Sequence, residues 1–131
     1  MDVLSMRTIF RCRDLARSRH FWEDVLGLTV AREYGGGGEV LGVVLFAGGG
    51  AIELTTGDAS VPDRSDDAIV WLQVADAAAE EARLAGEGVA IDRGTERMPW
   101  GLVECWVSDP DGVRIVLVEV PPDHPLRSRV D

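Results

Sequence analysis

The sequence repeats one pattern of elements at an offset of 62 to 63 residues. Asp14 and Asp76 lie 62 positions apart, and each follows a predicted strand and precedes a predicted helix that its carboxylate can cap. The predicted last strands of the two halves, around Leu54 and Leu117, are offset by 63 positions. In a chain of 131 residues, this repeat indicates one domain assembled from two copies of a single supersecondary unit.

Both copies are predicted to have the element order β-α-β-β-β. The first copy has a helix over Leu15–Leu26 and the strands Ser5–Cys12, Leu28–Tyr34, Val40–Phe46 and Ala51–Thr56. The second copy has a helix over Ala77–Ala85 and the strands Ala68–Val74, one beginning at Val89–Ile91, Leu102–Val107 and Val113–Val120. The two modules therefore cover about residues 5–57 and 68–120, with an acidic linker at 58–67 and a loose tail at 121–131.

Two glycine-containing segments are interpreted as turns. Gly35–Gly38 lies between two strands and is followed by neither a helix nor the Lys and Ser/Thr of a phosphate-binding loop, so it predicts a hairpin. Asp109–Gly112 has the composition of a type I or type II turn.

One helix can cover only one face of a four-stranded sheet, so the other face of each copy needs a partner. The other copy is the obvious candidate. We therefore predict an α+β fold in which two βαβββ modules form curved mixed sheets around a shared cleft, with the helices on the outer faces. Clefts of this kind commonly hold ligands.

Composition restricts the class of partner. Acidic residues outnumber basic ones by 23 to 13, every basic residue is Arg, and the formal net charge is −10. Such an acidic protein is unsuited to nucleic acid and favours neutral or cationic partners. No apolar run approaches the length of a membrane span and residues 1–10 do not resemble a signal peptide, so we expect no membrane association and a cytoplasmic location. Cys12 and Cys105 have no metal-ligand or redox spacing and are predicted to be buried thiols.

Three segments carry a family resemblance. Arg13–Leu28, Met98–Gly101 and Asp109–Gly112 resemble the first-helix signature, a loop and the last turn of the vicinal oxygen chelate superfamily. That superfamily joins glyoxalases, bleomycin resistance proteins and extradiol dioxygenases, and the resemblance covers residues 5 to 120. It implies the two-module fold and a homodimer, but it does not specify a function, because the fold serves lyases, oxygenases, epimerases and drug binders.

The resemblance also implies four inward-facing positions at which family enzymes bind a divalent metal ion. Those positions hold Arg7, Glu53, Ile69 and Val116. Only Glu53 could ligate a metal, because Arg keeps its proton and Ile and Val have no donor atom. The two histidines, His20 and His124, lie in the helix signature and in the tail, away from these positions. We therefore expect no metal ion and no other cofactor.

Side chains alternate across a strand, so the implied metal positions also indicate which other residues face the cleft. The cleft is then lined by tryptophans, aliphatic side chains and two carboxylates, which suits a planar aromatic or cationic ligand. The predicted ligand-binding residues are Arg7, Ile9, Phe46, Glu53, Ile69, Trp71, Trp100, Glu104, Trp106 and Val116. Two alternatives remain open: Trp71 and Trp106 fill the cleft themselves, and Arg7 and Arg114 pair with Glu53 and Glu104.

The favoured hypothesis is a metal-independent binding protein of the bleomycin-resistance type that sequesters an aromatic or cationic natural product. An alternative is a lyase, isomerase or dioxygenase with a degenerate or unusual metal site. Catalysis without a metal stays open as well, with Glu53 and Glu104 as acid and base if burial raises the pKa of one of them. A third possibility is an accessory module that has no ligand.

Overall fold

The computed structural model describes residues 1–63 and 68–128 and has an α+β fold with two four-stranded mixed sheets. The predicted fold class is confirmed. The chain divides into two compact units, Met1–Asp63 and Arg64–Asp131. Their sheets have the same topology, which is the structural expression of the sequence repeat.

The first unit contains one helix and four strands. Helix α1 (Leu15–Arg19) continues as a π-helical segment, His20–Val25. The strands are β1 (Arg7–Cys12), β2 (Thr29–Gly36), β3 (Glu39–Ala47) and β4 (Gly50–Thr56). Their order in the sheet is β1-β4-β3-β2, with β1 parallel to β4 and the other pairs antiparallel.

The core of the first unit forms where the helix packs on the sheet. Asp14 caps α1 as predicted, since its carboxylate accepts a hydrogen bond of 3.2 Å from the backbone N–H of Arg17. Trp22 is fully buried. Its ring lies 6.1 Å from that of Phe10 in a stacked arrangement and 5.9 Å from that of Phe21 in an edge arrangement. Aromatic packing therefore attaches the helix to β1.

The second unit repeats this arrangement. Its strands are β5 (Ile69–Val74), β6 (Arg93–Arg97), β7 (Val103–Ser108) and β8 (Arg114–Glu119), in the order β5-β8-β7-β6. Helix α2 (Ala77–Gly86) is capped by Asp76, which accepts a hydrogen bond of 2.9 Å from the N–H of Ala79. The predicted turn before β8 is present, with Asp109 accepting hydrogen bonds from the backbone N–H groups of Asp111 and Val113.

Two sequence predictions in this unit are wrong. No strand begins at Val89–Ile91, because Gly88 has a φ of +84° and the N–H of Val89 bonds back to the carbonyl of Leu84, which ends the helix. The prediction of a loose tail is wrong for the residues up to Arg127. It forms a short helix, α3 (Pro125–Ser128), and the Arg127 guanidinium donates to the carbonyl oxygen of Val120 at 2.9 Å.

Other predictions are borne out or only partly described. Cys12 and Cys105 are free and buried as predicted, and burial raises the pKa of the Cys105 thiol. In the predicted linker, Val61 is buried and its carbonyl oxygen accepts a hydrogen bond from Arg13. Residues 64–67 lie outside the described residues, so the linker itself stays a prediction. None of the described helices is long and apolar enough to cross a bilayer.

Candidate functional site

Alternation along the strands separates the two faces of the first sheet. Phe10 and Cys12 are directed towards the helix, as the contact of Phe10 with Trp22 shows. The strand registers then place the residues that alternate with these two on the other face of the sheet, which we call the open face of the first sheet. It carries Arg7, Ile9, Arg11, Thr29, Arg32, Tyr34, Gly42, Val44, Phe46, Ala51, Glu53 and Thr55.

A β-bulge determines which residues of β2 reach this face. Val30 pairs with Leu45, but Arg32 pairs with Val44, so Ala31 is an extra residue in the ladder. Without the bulge, Arg32 would point to the helix side. With it, Arg32 and then Tyr34 lie on the open face. Strict alternation from the start of the strand could not have identified these two residues.

Glu53 is the centre of a hydrogen-bonded cluster on this face. Arg7 Nη1 donates to Glu53 Oε1 at 2.8 Å, and the Tyr34 hydroxyl donates to Glu53 Oε2 at 2.7 Å. Tyr34 reaches across β3 at Gly42, where a Cβ atom would lie 2.2 Å from the ring. Glycine at this position therefore makes room for the ring, and the predicted pairing of Arg7 with Glu53 is confirmed.

These contacts favour the ionised form of Glu53. The hydrogen bond from Tyr34 and then the one from Arg7 lower the pKa of the Glu53 carboxyl, and burial opposes them with a smaller effect. A carboxyl whose pKa is depressed by folding stabilises the protein above its ordinary pKa, and this contribution is lost as the pH falls through the lower folded value. Glu53 is therefore poorly suited to act as a general acid near neutral pH.

The ionisation of Tyr34 provides a direct test of this cluster, because Tyr34 is the single tyrosine of the chain. The hydrogen bond with Thr55 favours the tyrosinate, but the bond to Glu53 and burial together raise the pKa of Tyr34 above its usual value. We expect the midpoint of tyrosinate absorbance to lie above that of free tyrosine and to fall in Glu53→Gln. The stabilisation linked to Tyr34 is complete below the ordinary tyrosine pKa and is lost at more alkaline pH. A midpoint that is unchanged in Glu53→Gln would contradict the contact.

The second sheet has a corresponding open face. Cys105 contacts Glu81 of α2, and Glu119 accepts a hydrogen bond from the N–H of Ala77 at the start of the same helix, so both lie on the helix side. The strand registers place the alternating set on the opposite side, which we call the open face of the second sheet. On strands β5, β7 and β8 it carries Ile69, Trp71, Gln73, Glu104, Trp106, Ser108, Arg114, Val116 and Val118.

Glu104 is a buried carboxylate held by two tryptophans. Glu104 is only 6% exposed. Trp100 Nε1 donates to Oε2 at 2.8 Å, and Trp106 Nε1 donates to Oε1 at 3.3 Å. Each open face thus carries a carboxylate with a donor on each oxygen, but the donors differ. Glu53 is paired with a cation, whereas both of these donors to Glu104 are neutral indoles.

The possible ion pair between Arg114 and Glu104 is not formed. The Arg114 guanidinium instead lies over the Trp106 ring, 5.1 Å from its centroid, and its Nε is 3.7 Å from Asp92 Oδ2.

The tryptophans of this face differ in exposure. Trp106 packs against the buried cluster of Leu102, Val116, Val118 and Val120, so it is part of the packed layer of this face. Trp71 and Trp100 are 47% and 56% exposed, respectively. Trp106 is therefore more deeply packed than Trp71, and the alternative in which both fill a cleft stays a prediction.

The tail holds the loop that carries Trp100. The N–H of Leu126 donates to His124 Nδ1 at 3.2 Å, so the other ring nitrogen carries the proton. His124 Nε2 donates it to the carbonyl oxygen of Trp100 at 3.0 Å. The sequence offered no signal for this role of His124, because a contact between a tail and a loop has no local pattern.

The four positions implied for a metal ion do not form a suitable donor set. Arg7, Ile69 and Val116 have no group that can ligate a metal, and both oxygens of Glu53 already accept hydrogen bonds. The described residues include no group of three or more His, Cys, Asp or Glu side chains that converge. Those four residues therefore do not fit the metal ion of the family enzymes.

The predicted ligand-binding residues divide between the two open faces and one loop. Arg7, Ile9, Phe46 and Glu53 lie on the first face, and the others except Trp100 lie on the second. Tyr34 and Arg32 also lie on the first face but were missing from the prediction. Binding at these residues, and a single cleft lined by both faces, stay predictions.

A family model described as Glyoxalase/Bleomycin resistance protein/Dioxygenase superfamily matches residues 6–117. No curated protein sequence matches the chain significantly.

Several solved structures are similar to this chain. A lactoylglutathione lyase from Agrobacterium tumefaciens has a TM-score of 0.68 at 20% identity and covers 87% of this chain and 91% of its own. TioX from Micromonospora sp. ML1 has a TM-score of 0.73 at 20% identity, covering 89% and 98%. TnmS3, an antibiotic binding protein from Streptomyces sp. CB03234, has a TM-score of 0.71 at 21% identity, covering 92% and 98%. At these identities the likeness shows the fold alone.

Proposed function

The chain belongs to the Glyoxalase/Bleomycin resistance protein/Dioxygenase superfamily, and within it we propose a small-molecule binding protein that needs no metal ion. The ligand is an aromatic cation of the natural-product class, held against the open face of the second sheet. The protein sequesters this molecule and does not transform it.

The observation that carries the proposal is the environment of Glu104. This carboxylate is buried, and among residues 1–63 and 68–128 its hydrogen-bond donors are the neutral indoles of Trp100 and Trp106. A buried negative charge without a cationic partner in contact is costly, and a bound cation would compensate it. Trp71, on the same open face, and Trp100, whose indole N–H bonds to Glu104, are about half exposed and offer indole surface for stacking.

The expected energies agree with a ligand that is both aromatic and positively charged. Stacking on an indole contributes about 0.5–1.5 kcal/mol beyond burial. A cation over a tryptophan ring contributes about 0.5–2 kcal/mol. Stacking is available to a charged and to a neutral ring system alike, so the preference comes from the cation term, which corresponds to roughly tenfold for a cationic ring system over a neutral one of the same shape.

Two further observations support binding over metal-dependent catalysis. The four family metal positions provide a single carboxylate, which already bonds to Arg7 and Tyr34. One structural neighbour, TnmS3, is described as an antibiotic binding protein, and we extend that role to this chain as sequestration of an antibiotic-like molecule. From the family resemblance we also propose that the protein acts as a cytoplasmic homodimer.

A matched pair of planar dyes tests the proposal. 9-Aminoacridine is cationic at slightly alkaline pH, whereas acridine is neutral there and has the same ring system. We expect 9-aminoacridine to bind about tenfold more tightly, to quench tryptophan fluorescence and to raise the melting temperature. Isothermal titration calorimetry gives both affinities.

Two results would contradict the proposal. Equal affinity for the two dyes, or no binding of either, would remove the role of Glu104 and the tryptophans. Loss of binding after EDTA treatment, restored by a divalent metal ion, would contradict metal independence and favour the enzyme alternative.

A further inference from the structure

The open face of the first sheet has the opposite charge balance to the protein as a whole. The chain has a formal net charge of −10. This face nevertheless carries three arginines, Arg7, Arg11 and Arg32, and one carboxylate, Glu53. Asp58 interacts electrostatically with Arg11, and Glu53 is paired with Arg7, so the excess of positive charge is centred on Arg32.

Of the three arginines on this face, Arg32 is the one best placed to bind an anionic group. Its guanidinium lies over the ring of Tyr34, with Cζ 5.9 Å from the centroid. Within residues 1–63 and 68–128, no carboxylate lies within ion-pair distance of it, and its side chain is exposed. A guanidinium has five N–H donors in a planar fork that matches a carboxylate, so this group is preorganised for an anion.

Glu53 cannot occupy that fork, because its two oxygens are engaged elsewhere. Oε1 accepts from Arg7 and Oε2 accepts from Tyr34. The Tyr34 ring contacts the Arg32 guanidinium, and its hydroxyl contacts the carboxylate, so Arg32 acts on Glu53 through space without forming an ion pair. The bulge at Ala31 keeps all of these groups on one face. Ile9 and Phe46 are exposed on the same face and offer apolar surface for the body of a ligand.

We infer that the open face of the first sheet is a binding site for a carboxylate attached to an apolar group, with Arg32 as the recognition residue. The site uses other residues than the face that carries Glu104, and it selects ligands of the opposite charge. It does not depend on the proposed function, so either can fail alone.

Cyclohexanecarboxylate and cyclohexanecarboxamide are a suitable probe pair, because they differ mainly in charge and do not obscure tyrosine absorbance. We expect the carboxylate to bind in the millimolar range and the amide to bind at least tenfold more weakly. Binding of the carboxylate should weaken with added salt. It should also perturb the absorbance of Tyr34, the single tyrosine and a direct neighbour of Arg32.

Matched variants locate the site. Arg32→Gln should weaken binding of cyclohexanecarboxylate about tenfold, and Arg32→Lys should weaken it less, because the charge is kept but the fork is lost. Arg83→Gln removes the same charge from α2 in the other unit and should change the affinity less than twofold. Inorganic phosphate, which lacks an apolar group, should bind more weakly than the carboxylate.

The inference is overturned if the amide binds as well as the carboxylate, if Arg32→Gln and Arg83→Gln have equal effects, or if no carboxylate binding is detected at any accessible concentration. Tighter binding of phosphate than of cyclohexanecarboxylate would overturn the assigned ligand class. Circular dichroism and melting curves of each variant establish that the fold is retained, since Arg32 is exposed.

Discussion

Trp22→Ala should lower the free energy of unfolding by about 3–5 kcal/mol, the usual cost of removing a buried tryptophan. The Trp22 ring is fully buried and contacts Phe10 and Phe21, so its loss leaves a cavity where the helix packs on β1. For a chain of this size we expect a fall in melting temperature of roughly 10–20 °C. Urea denaturation followed by circular dichroism measures the effect.

Two other variants control this prediction. Trp22→Phe keeps an aromatic ring next to Phe10 and should cost less than the alanine variant. Trp71→Ala removes an indole that is half exposed and should cost far less than either change at Trp22. A larger loss of stability in Trp71→Ala than in Trp22→Ala would show that the core of the first unit has been wrongly located.

Glu104→Gln should reduce the affinity for 9-aminoacridine by about tenfold or more and leave the weak affinity for acridine nearly unchanged. The amide is neutral, so it cannot compensate a bound cation. Its NH₂ group also faces one of the two indole N–H groups, and the resulting unsatisfied donors cost about 1–3 kcal/mol of stability. Calorimetric titration and chemical denaturation measure the two effects separately.

Glu87→Gln is the matched control, because it removes the same charge from an exposed position at the end of α2. It should leave dye affinity within about twofold and stability within about 0.5 kcal/mol. If Glu104→Gln bound the cationic dye as tightly as the original protein, the buried carboxylate would have no part in recognition, and the proposed function would lose its main support.

Much of the fold could be predicted because its signals are local. The repeat of Asp14 and Asp76 located both helix starts, and both carboxylates form the expected caps. Alternation along β1 separated Phe10 from Arg7 and Ile9 correctly. It also led to the pairing of Arg7 with Glu53, since residues that share a face on adjacent strands are neighbours.

The candidate site could be predicted only in part. Glu104, Trp100 and Trp106 were identified from the sequence as candidate site residues, but the hydrogen bonds between them were not. Arg114 was considered as the partner of Glu104, whereas its guanidinium lies over the Trp106 ring. The choice between partners at similar distance depends on side-chain packing in three dimensions, which strand alternation does not describe. The same limit applies to His124, whose contact with the Trp100 carbonyl joins segments 24 residues apart.

The sequence alone was sufficient for the two-module fold, the helix caps and the faces of the regular strands, because each depends on residues a few positions apart. The phase of β2 depends on its pairing with β3, where one extra residue turns Arg32 and Tyr34 onto the open face. Tyr34 then reaches Glu53 only because a glycine on the neighbouring strand leaves space for its ring. Such contacts between distant residues arise from strand pairing and packing, so they became visible only in the folded chain.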